Sequence, residues 1–79
     1  RREIDTIDKA IIEKLSERLQ AVQKIGEYKK QHNITVQDPN REAKLYIKLN
    51  QLSQEHQVPL ELVTHIYDYI MNHSRGMQE

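Results

Sequence analysis

Four charged side chains interrupt an apolar seam along the first part of the sequence. Steps of three and four residues connect the seam positions Arg1, Ile4, Asp8, Ile11, Leu15, Arg18, Val22, Ile25 and Lys29. Cations on a seam that faces a core need an anionic partner, because burying an unpaired charge is costly. Arg18 and Lys29 could therefore bind an anion. Alternatively, they extend to solvent or pair with a carboxylate such as Glu42, and Asp8 is expected to pair with a basic residue.

Polar side chains also stand beside apolar stripes later in the chain. Arg41 and Glu42 precede a stripe of three leucines. Glu42 there would also complement the dipole of a helix N-terminus. A third stripe changes from apolar to polar at Ser74 and Gln78, where the alternative interpretation is a helix end that frays into solvent.

The polar candidates together supply cations, one acceptor and neutral hydrogen-bond donors. They are Arg1, Arg18, Lys29, Arg41, Glu42, Ser74 and Gln78. No convincing nucleophile with a base is among them, because Ser74 and His73 are adjacent and adjacent helical residues point in different directions. The four histidines complete no ligand set and cysteine is absent, so we expect neither a metal nor a cofactor.

Length and composition narrow the function further. The chain has 79 residues, enough for one small domain over residues 1–79, with a formal net charge of zero. A nucleic-acid-binding module normally carries excess positive charge, so we expect no nucleic-acid partner. No apolar run approaches the roughly 18 residues that span a bilayer, and no signal-peptide pattern is present. We expect a cytoplasmic protein with no membrane partner.

Three helices are predicted, and no stretch alternates like a strand. The first should run from about Arg2 to Gln31, and the second should begin at Pro39, with Asp38 as its cap, and end near Glu55. The third should begin close to Pro59 and reach about Gln78. The expected fold class is therefore all-α, with one long helix and two shorter ones.

The first predicted helix is too long for a compact monomer. Thirty residues extend about 45 Å, whereas a 79-residue domain has a diameter of about 30 Å. We therefore expect an intertwined, two-fold symmetric homodimer in which a second chain covers the seam. Arg1 and Arg18 lie about 25 Å apart on one helix, but antiparallel packing would bring Arg1 of the partner subunit near Arg18. Such a shared, cationic site would suit a small dicarboxylate.

The order and spacing of these residues are similar to a known family. The chain resembles the all-helical, intertwined dimeric class of chorismate mutase over essentially all of its length. The motifs that carry the resemblance are Arg1 before Ile4-Asp5-x-Ile7-Asp8, then Glu17-Arg18, Ile25-Gly26-x-x-Lys29, Asp38-Pro39-x-Arg41-Glu42 and Ser74-x-x-x-Gln78. The resemblance implies an isomerase of phenylalanine and tyrosine biosynthesis that converts chorismate into prephenate by an intramolecular Claisen rearrangement.

The resemblance also implies which residues bind the two carboxylates. Arg18, together with Arg1 of the partner subunit, would bind them, and Ser74 would assist at the ring carboxylate. The implied apolar walls of the site are Ile25, Ile70 and Met71.

The remaining implied roles concern the two other oxygens of the substrate. Lys29 and Gln78 would donate hydrogen bonds to the ether oxygen whose bond to the ring breaks. Glu42, with the backbone near Asp38, would hold the ring hydroxyl, and Arg41 would support the carboxylate-binding and acidic groups.

The residue types suit this reaction independently of the resemblance. A pericyclic rearrangement needs no base, nucleophile or metal. It needs a compact substrate conformer, which cations bound to both carboxylates enforce. It also needs donors at the ether oxygen, where negative charge develops. A site rich in Arg and Lys without a catalytic dyad meets both needs.

Two alternatives remain open from the sequence. An isochorismate-pyruvate lyase of the same fold would share the Arg, Lys and Gln pattern, although Glu42 suits the ring hydroxyl of the mutase substrate. A non-catalytic helical dimerisation or regulatory module would explain the apolar stripes but not Lys29 and Gln78 on them. The chain could also be one domain of a larger, fused enzyme of aromatic biosynthesis.

Overall fold

The described part of the chain consists of helices and short connections. The computed structural model describes residues 1–32 and 39–78, without the side chains of residues 39, 77 and 78. Three helices follow one another: α1 (Arg2–Gln31), α2 (Pro39–Glu55) and α3 (Leu60–Gln78). No strand occurs in these two ranges. The all-α class and the predicted helix bounds are confirmed, whereas the predicted cap, Asp38, lies outside the described residues.

Helix α3 packs against both of the other helices, α1 and α2. Within the described ranges, α1 and α2 make no comparable contact with each other. The chain measures 46 × 25 × 17 Å, and its radius of gyration is 14.6 Å. A compact domain of this length would have a radius of gyration of roughly 12 Å. The long α1 therefore projects beyond the body formed with α3, as its predicted length requires.

The chain by itself buries little apolar surface. Among the described residues, the only buried apolar side chains are Val22 and Leu49. Seam residues in the N-terminal half of α1 are exposed instead, with Ile4 at 61% and Ile11 at 57% of full exposure. The apolar positions of the seam therefore extend along all of α1 but are covered only toward its C-terminal end.

None of the described helices combines the length and the apolar character needed to cross a membrane.

Helix α2 ends in a Schellman motif that contains a strained residue. The Val58 amide donates to the Ser53 carbonyl at 2.9 Å, and the Gln57 amide donates to the Gln54 carbonyl at 3.4 Å. Gln57 has a φ of 57°, in the left-handed region that glycine normally occupies at this position. The motif reverses the chain so that α3 can pack back on α2.

We expect Gln57→Gly to stabilise the protein. Relief of left-handed strain is worth about 1–2 kcal/mol, and the added freedom of the unfolded chain costs about 0.5–1 kcal/mol. The net gain should therefore lie between about 0 and 1.5 kcal/mol. Urea unfolding at one fixed protein concentration measures the difference. The matched control, Gln51→Gly on the exposed face of α2, should instead lose about 1 kcal/mol. Destabilisation by both variants would contradict the conformation assigned to Gln57.

Candidate active site

Arg18 is the central charged group of the site. Its guanidinium donates a hydrogen bond from Nη1 to Ser74 Oγ at 3.0 Å and contacts Met71 Sδ from Nη2 at 3.5 Å. It also lies over the ring of Tyr67, 5.7 Å from the centroid. All three neighbours belong to α3. The guanidinium is thus held in a fixed place by neutral groups.

The environment of Arg18 favours an anionic ligand. Its side chain is half-buried, and Ser74 is only 4% exposed. No described carboxylate pairs with Arg18, so the described residues leave its charge uncompensated. The alternative that Arg18 pairs with Glu42 is wrong, because Glu42 binds Arg75 instead. The alternative that Ser74 frays into solvent is wrong as well.

Glu42 is held by an arginine that the sequence patterns did not single out. Arg75 Nε donates to Glu42 Oε1 at 3.0 Å, and Nη2 donates to Oε2 at 3.3 Å. Arg75 Nη1 donates to Asn72 Oδ1 at 2.8 Å. The hydrogen bond to Glu42 and the charge of its carboxylate raise the pKa of Arg75. Arg75 directly follows the candidate residue Ser74, and this adjacency is the sequence feature that could have indicated it.

A second polar contact joins α2 to α3. The Tyr46 hydroxyl donates to Asp68 Oδ1 at 2.5 Å. This hydrogen bond raises the pKa of Tyr46, and desolvation and the negative charge of Asp68 raise it further. Tyr46 is one helical turn after Glu42, so the two contacts together fix the rotation of α2 against α3.

The other candidate cations, Lys29, Arg41 and Arg1, lie apart from Arg18. Lys29 is half-buried on α1, eleven residues and roughly 16 Å after Arg18. Arg41 is exposed in the first turn of α2, and Lys29 and Arg41 both interact with other groups. Arg1 is exposed at the start of α1, about 25 Å from Arg18 along the helix. One chain therefore does not bring Arg1 to Arg18.

The remaining predicted residues are Gln78, Asp38 and Asp8, and of these only Asp8 has a described side chain. Gln78 lies in the last turn of α3, one turn after Ser74, and its side chain is not among those described. Asp38 lies outside the described residues altogether. Asp8 is exposed, and the expected pairing is wrong within the described chain, where the ion pairs of α1 join Lys9 to Glu13 and Lys14 to Glu17.

An apolar groove extends from Arg18 toward the N-terminus of α1. Its volume is about 710 Å³, and it lies between α1 and α3. The lining residues are Ile7, Ala10, Ile11, Lys14, Leu15, Arg18, Ile66, Tyr67, Tyr69 and Ile70. The groove is thus apolar along its length and cationic at one end.

Comparisons of the chain with a family model and with a known protein point to the same family. The family model for chorismate mutase type II matches residues 1–79. A chorismate mutase of Methanocaldococcus jannaschii is 30% identical over 79 residues, which are 100% of this chain and 80% of that protein. No solved structure gave a significant match.

Other relatives are longer proteins. A bifunctional chorismate mutase/prephenate dehydratase of Aquifex aeolicus is 36% identical over 75 residues, which are 91% of this chain and 21% of that protein. The T-protein of Enterobacter agglomerans is 30% identical over 74 residues, 94% of this chain and 20% of that protein. The chain thus spans about a fifth of each of these two relatives.

Proposed function

The chain belongs to the chorismate mutase type II family, and we propose that it converts chorismate into prephenate by an intramolecular Claisen rearrangement on a site centred on Arg18. The ether bond of chorismate breaks while a carbon–carbon bond forms, and no atom leaves the molecule. The observation that carries the proposal is the half-buried guanidinium of Arg18, held by Ser74 with no carboxylate partner in the described chain. That arrangement is suited to a substrate carboxylate.

The two carboxylates determine the conformation of the substrate. Arg18 would bind one of them and Ser74 would assist at the ring carboxylate, with Arg1 of the partner subunit as the second cation. Holding both carboxylates selects the compact conformer in which the reacting carbons meet, and this lowers the entropic part of the barrier. Ser74 and Met71 keep Arg18 in one orientation before the substrate arrives.

Stabilisation of the negative charge at the ether oxygen would lower the rest of the activation barrier. Lys29 and Gln78 would donate hydrogen bonds to this oxygen as negative charge develops on it. Lys29 is half-buried, and Gln78 is one helical turn from Ser74. A cation and a neutral amide serve this purpose without accepting a proton, so covalent and acid–base steps are not required.

The ring hydroxyl would bind at the start of α2. Glu42 can accept its hydrogen bond, because a carboxylate offers more acceptor positions than Arg75 occupies. The backbone near Asp38 would contribute to the same contact, and Arg41 would support the carboxylate-binding and acidic groups.

The complete site requires a second copy of the chain. Ile7 and Ile11 leave more than half of their surface in water, and both line the groove of about 710 Å³ that continues to Arg18. Antiparallel packing of two α1 helices would cover this apolar surface and carry Arg1 of the partner subunit to the cationic end of the groove. The proposed state is therefore an intertwined homodimer with two shared sites.

The cellular context follows from the proposed reaction. Prephenate is a precursor of phenylalanine and tyrosine, so we assign the chain to aromatic amino acid biosynthesis in the cytoplasm. Since the Aquifex aeolicus relative joins chorismate mutase to prephenate dehydratase in one protein, a fused or associated enzyme of the same pathway is part of the proposal.

We expect Arg18→Ala and Lys29→Ala each to remove most chorismate turnover. Loss of one donor to developing charge typically costs about 10²–10³ in rate, and loss of the carboxylate anchor releases the compact conformer. Steady-state assays of prephenate formation measure the loss, with circular dichroism and sedimentation to show that the helices and assembly persist. The control Lys24→Ala, an exposed cation on α1, should keep wild-type turnover. Wild-type turnover in Arg18→Ala would reject the site.

Mixed dimers should test whether two chains share each site. Arg1→Ala and Arg18→Ala dimers should both be inactive, whereas their heterodimer has one intact site and one doubly damaged site. After complete subunit exchange, half of the dimers are heterodimers, so about a quarter of wild-type activity should return. Exchange verified by mass labelling without any recovery would contradict the shared site. An active monomer in sedimentation would do the same.

A further inference from the structure

Arg75 binds Glu42 through two parallel hydrogen bonds. Its Nε and Nη2 donate to the two carboxylate oxygens at 3.0 Å and 3.3 Å. The third nitrogen, Nη1, donates to Asn72 Oδ1 at 2.8 Å, one helical turn earlier on α3. Each nitrogen of the guanidinium therefore has an acceptor, and the guanidinium itself is fixed by α3.

This contact determines the orientation of the Glu42 carboxylate. A planar guanidinium that meets both oxygens fixes the plane of the carboxylate as well as its position. A glutamate side chain otherwise has three rotatable bonds and loses their freedom when it is held. The carboxylate still has acceptor positions that Arg75 does not use. Glu42 is thereby held ready to accept one further hydrogen bond in a defined direction.

Stability alone is a weak reason for this ion pair. The side chains are 35% and 30% exposed, and partly exposed pairs contribute little net stability. The Tyr46–Asp68 hydrogen bond already ties α2 to α3 one turn away. Arg75 additionally orients the carboxylate of Glu42, which in the proposed function binds the ring hydroxyl.

The position of Arg75 next to Ser74 links the two halves of the site. Successive residues of a helix point about 100° apart. Ser74 therefore reaches Arg18 on α1, while Arg75 reaches Glu42 on α2. One dipeptide of α3 sets both the carboxylate-binding cation and the hydroxyl-binding anion.

We propose that Arg75 is a positioning residue, which acts through Glu42 to hold the ring hydroxyl of the substrate and is itself oriented by Asn72. This inference rests on the proposed function. The hydroxyl does not change bonding in the rearrangement, so its hydrogen bond contributes equally to substrate and transition-state binding. Loss of such uniform binding raises KM and leaves kcat nearly unchanged.

The first test measures kcat and KM separately for three variants. Arg75→Met should raise KM about ten- to hundredfold, the loss expected for one hydrogen bond to a charged group, with kcat within about twofold of wild type. Arg75→Lys keeps the charge but not the two-point contact, so it should also raise KM. Lys44→Met, an exposed cation of α2, is the control and should leave both constants unchanged. A lower kcat with an unchanged KM would indicate a merely structural role and overturn the proposal.

A double-mutant cycle tests whether Arg75 acts through Glu42. In a Glu42→Ala background, Arg75→Met should cause no further rise in KM, because the group it positions is gone. If Arg75 bound a substrate carboxylate directly, the same rise would appear in both backgrounds and the proposal would be wrong. Absence of turnover in the wild-type chain would reject the proposed function itself. An additive cycle in an active enzyme rejects only the role of Arg75.

Discussion

The hydrogen bond between Arg18 and Ser74 is the contact on which the rest of the site depends. Helices α1 and α2 do not pack on each other in the described chain, so every distance between their side chains is set through α3. Ser74 holds the guanidinium of α1 at 3.0 Å, and Arg75 holds the carboxylate of α2 at 3.0 Å. Two consecutive residues of α3 therefore determine how a cation on α1 and an anion on α2 are placed, and the proposed site would use both to hold one substrate.

A charge on an apolar seam costs stability, and in the proposed site that cost is offset by substrate binding. The chain buries only Val22 and Leu49 among its described apolar side chains. Such a small core does not easily offset a half-buried guanidinium that has no carboxylate partner among the described residues. Neutral contacts from Ser74, Met71 and Tyr67 reduce that cost without neutralising the charge. A partner chain on the exposed seam would supply the missing apolar burial. In the proposed homodimer, dimer formation and substrate binding would therefore be coupled through the same surface.

The helices can be predicted from local sequence signals, whereas the polar contacts between helices can be predicted only once the tertiary arrangement is known. Helix-forming residues and the prolines at 39 and 59 mark the helix starts in the sequence, and the spacing of Arg18 and Ser74 on their stripes marked both as site candidates. The pairing of Arg75 with Glu42 could not be predicted from spacing, because the two residues are 33 positions apart and the rotation of their helices decides which side chains meet. The left-handed Gln57 was equally hidden, because glycine, the usual sequence signal for that conformation, is absent there.

The central claim is that fixed charges alone, without transfer of a proton, perform the rearrangement. Its most direct test is the turnover number of the purified chain on chorismate in H₂O and in D₂O, with prephenate quantified as product. Rearrangement in a site of fixed charges predicts one prephenate for each chorismate consumed and nearly equal rates in the two solvents. A rate several-fold slower in D₂O would place a proton transfer in the limiting step and contradict the claim. Consumption of chorismate without prephenate would contradict it equally.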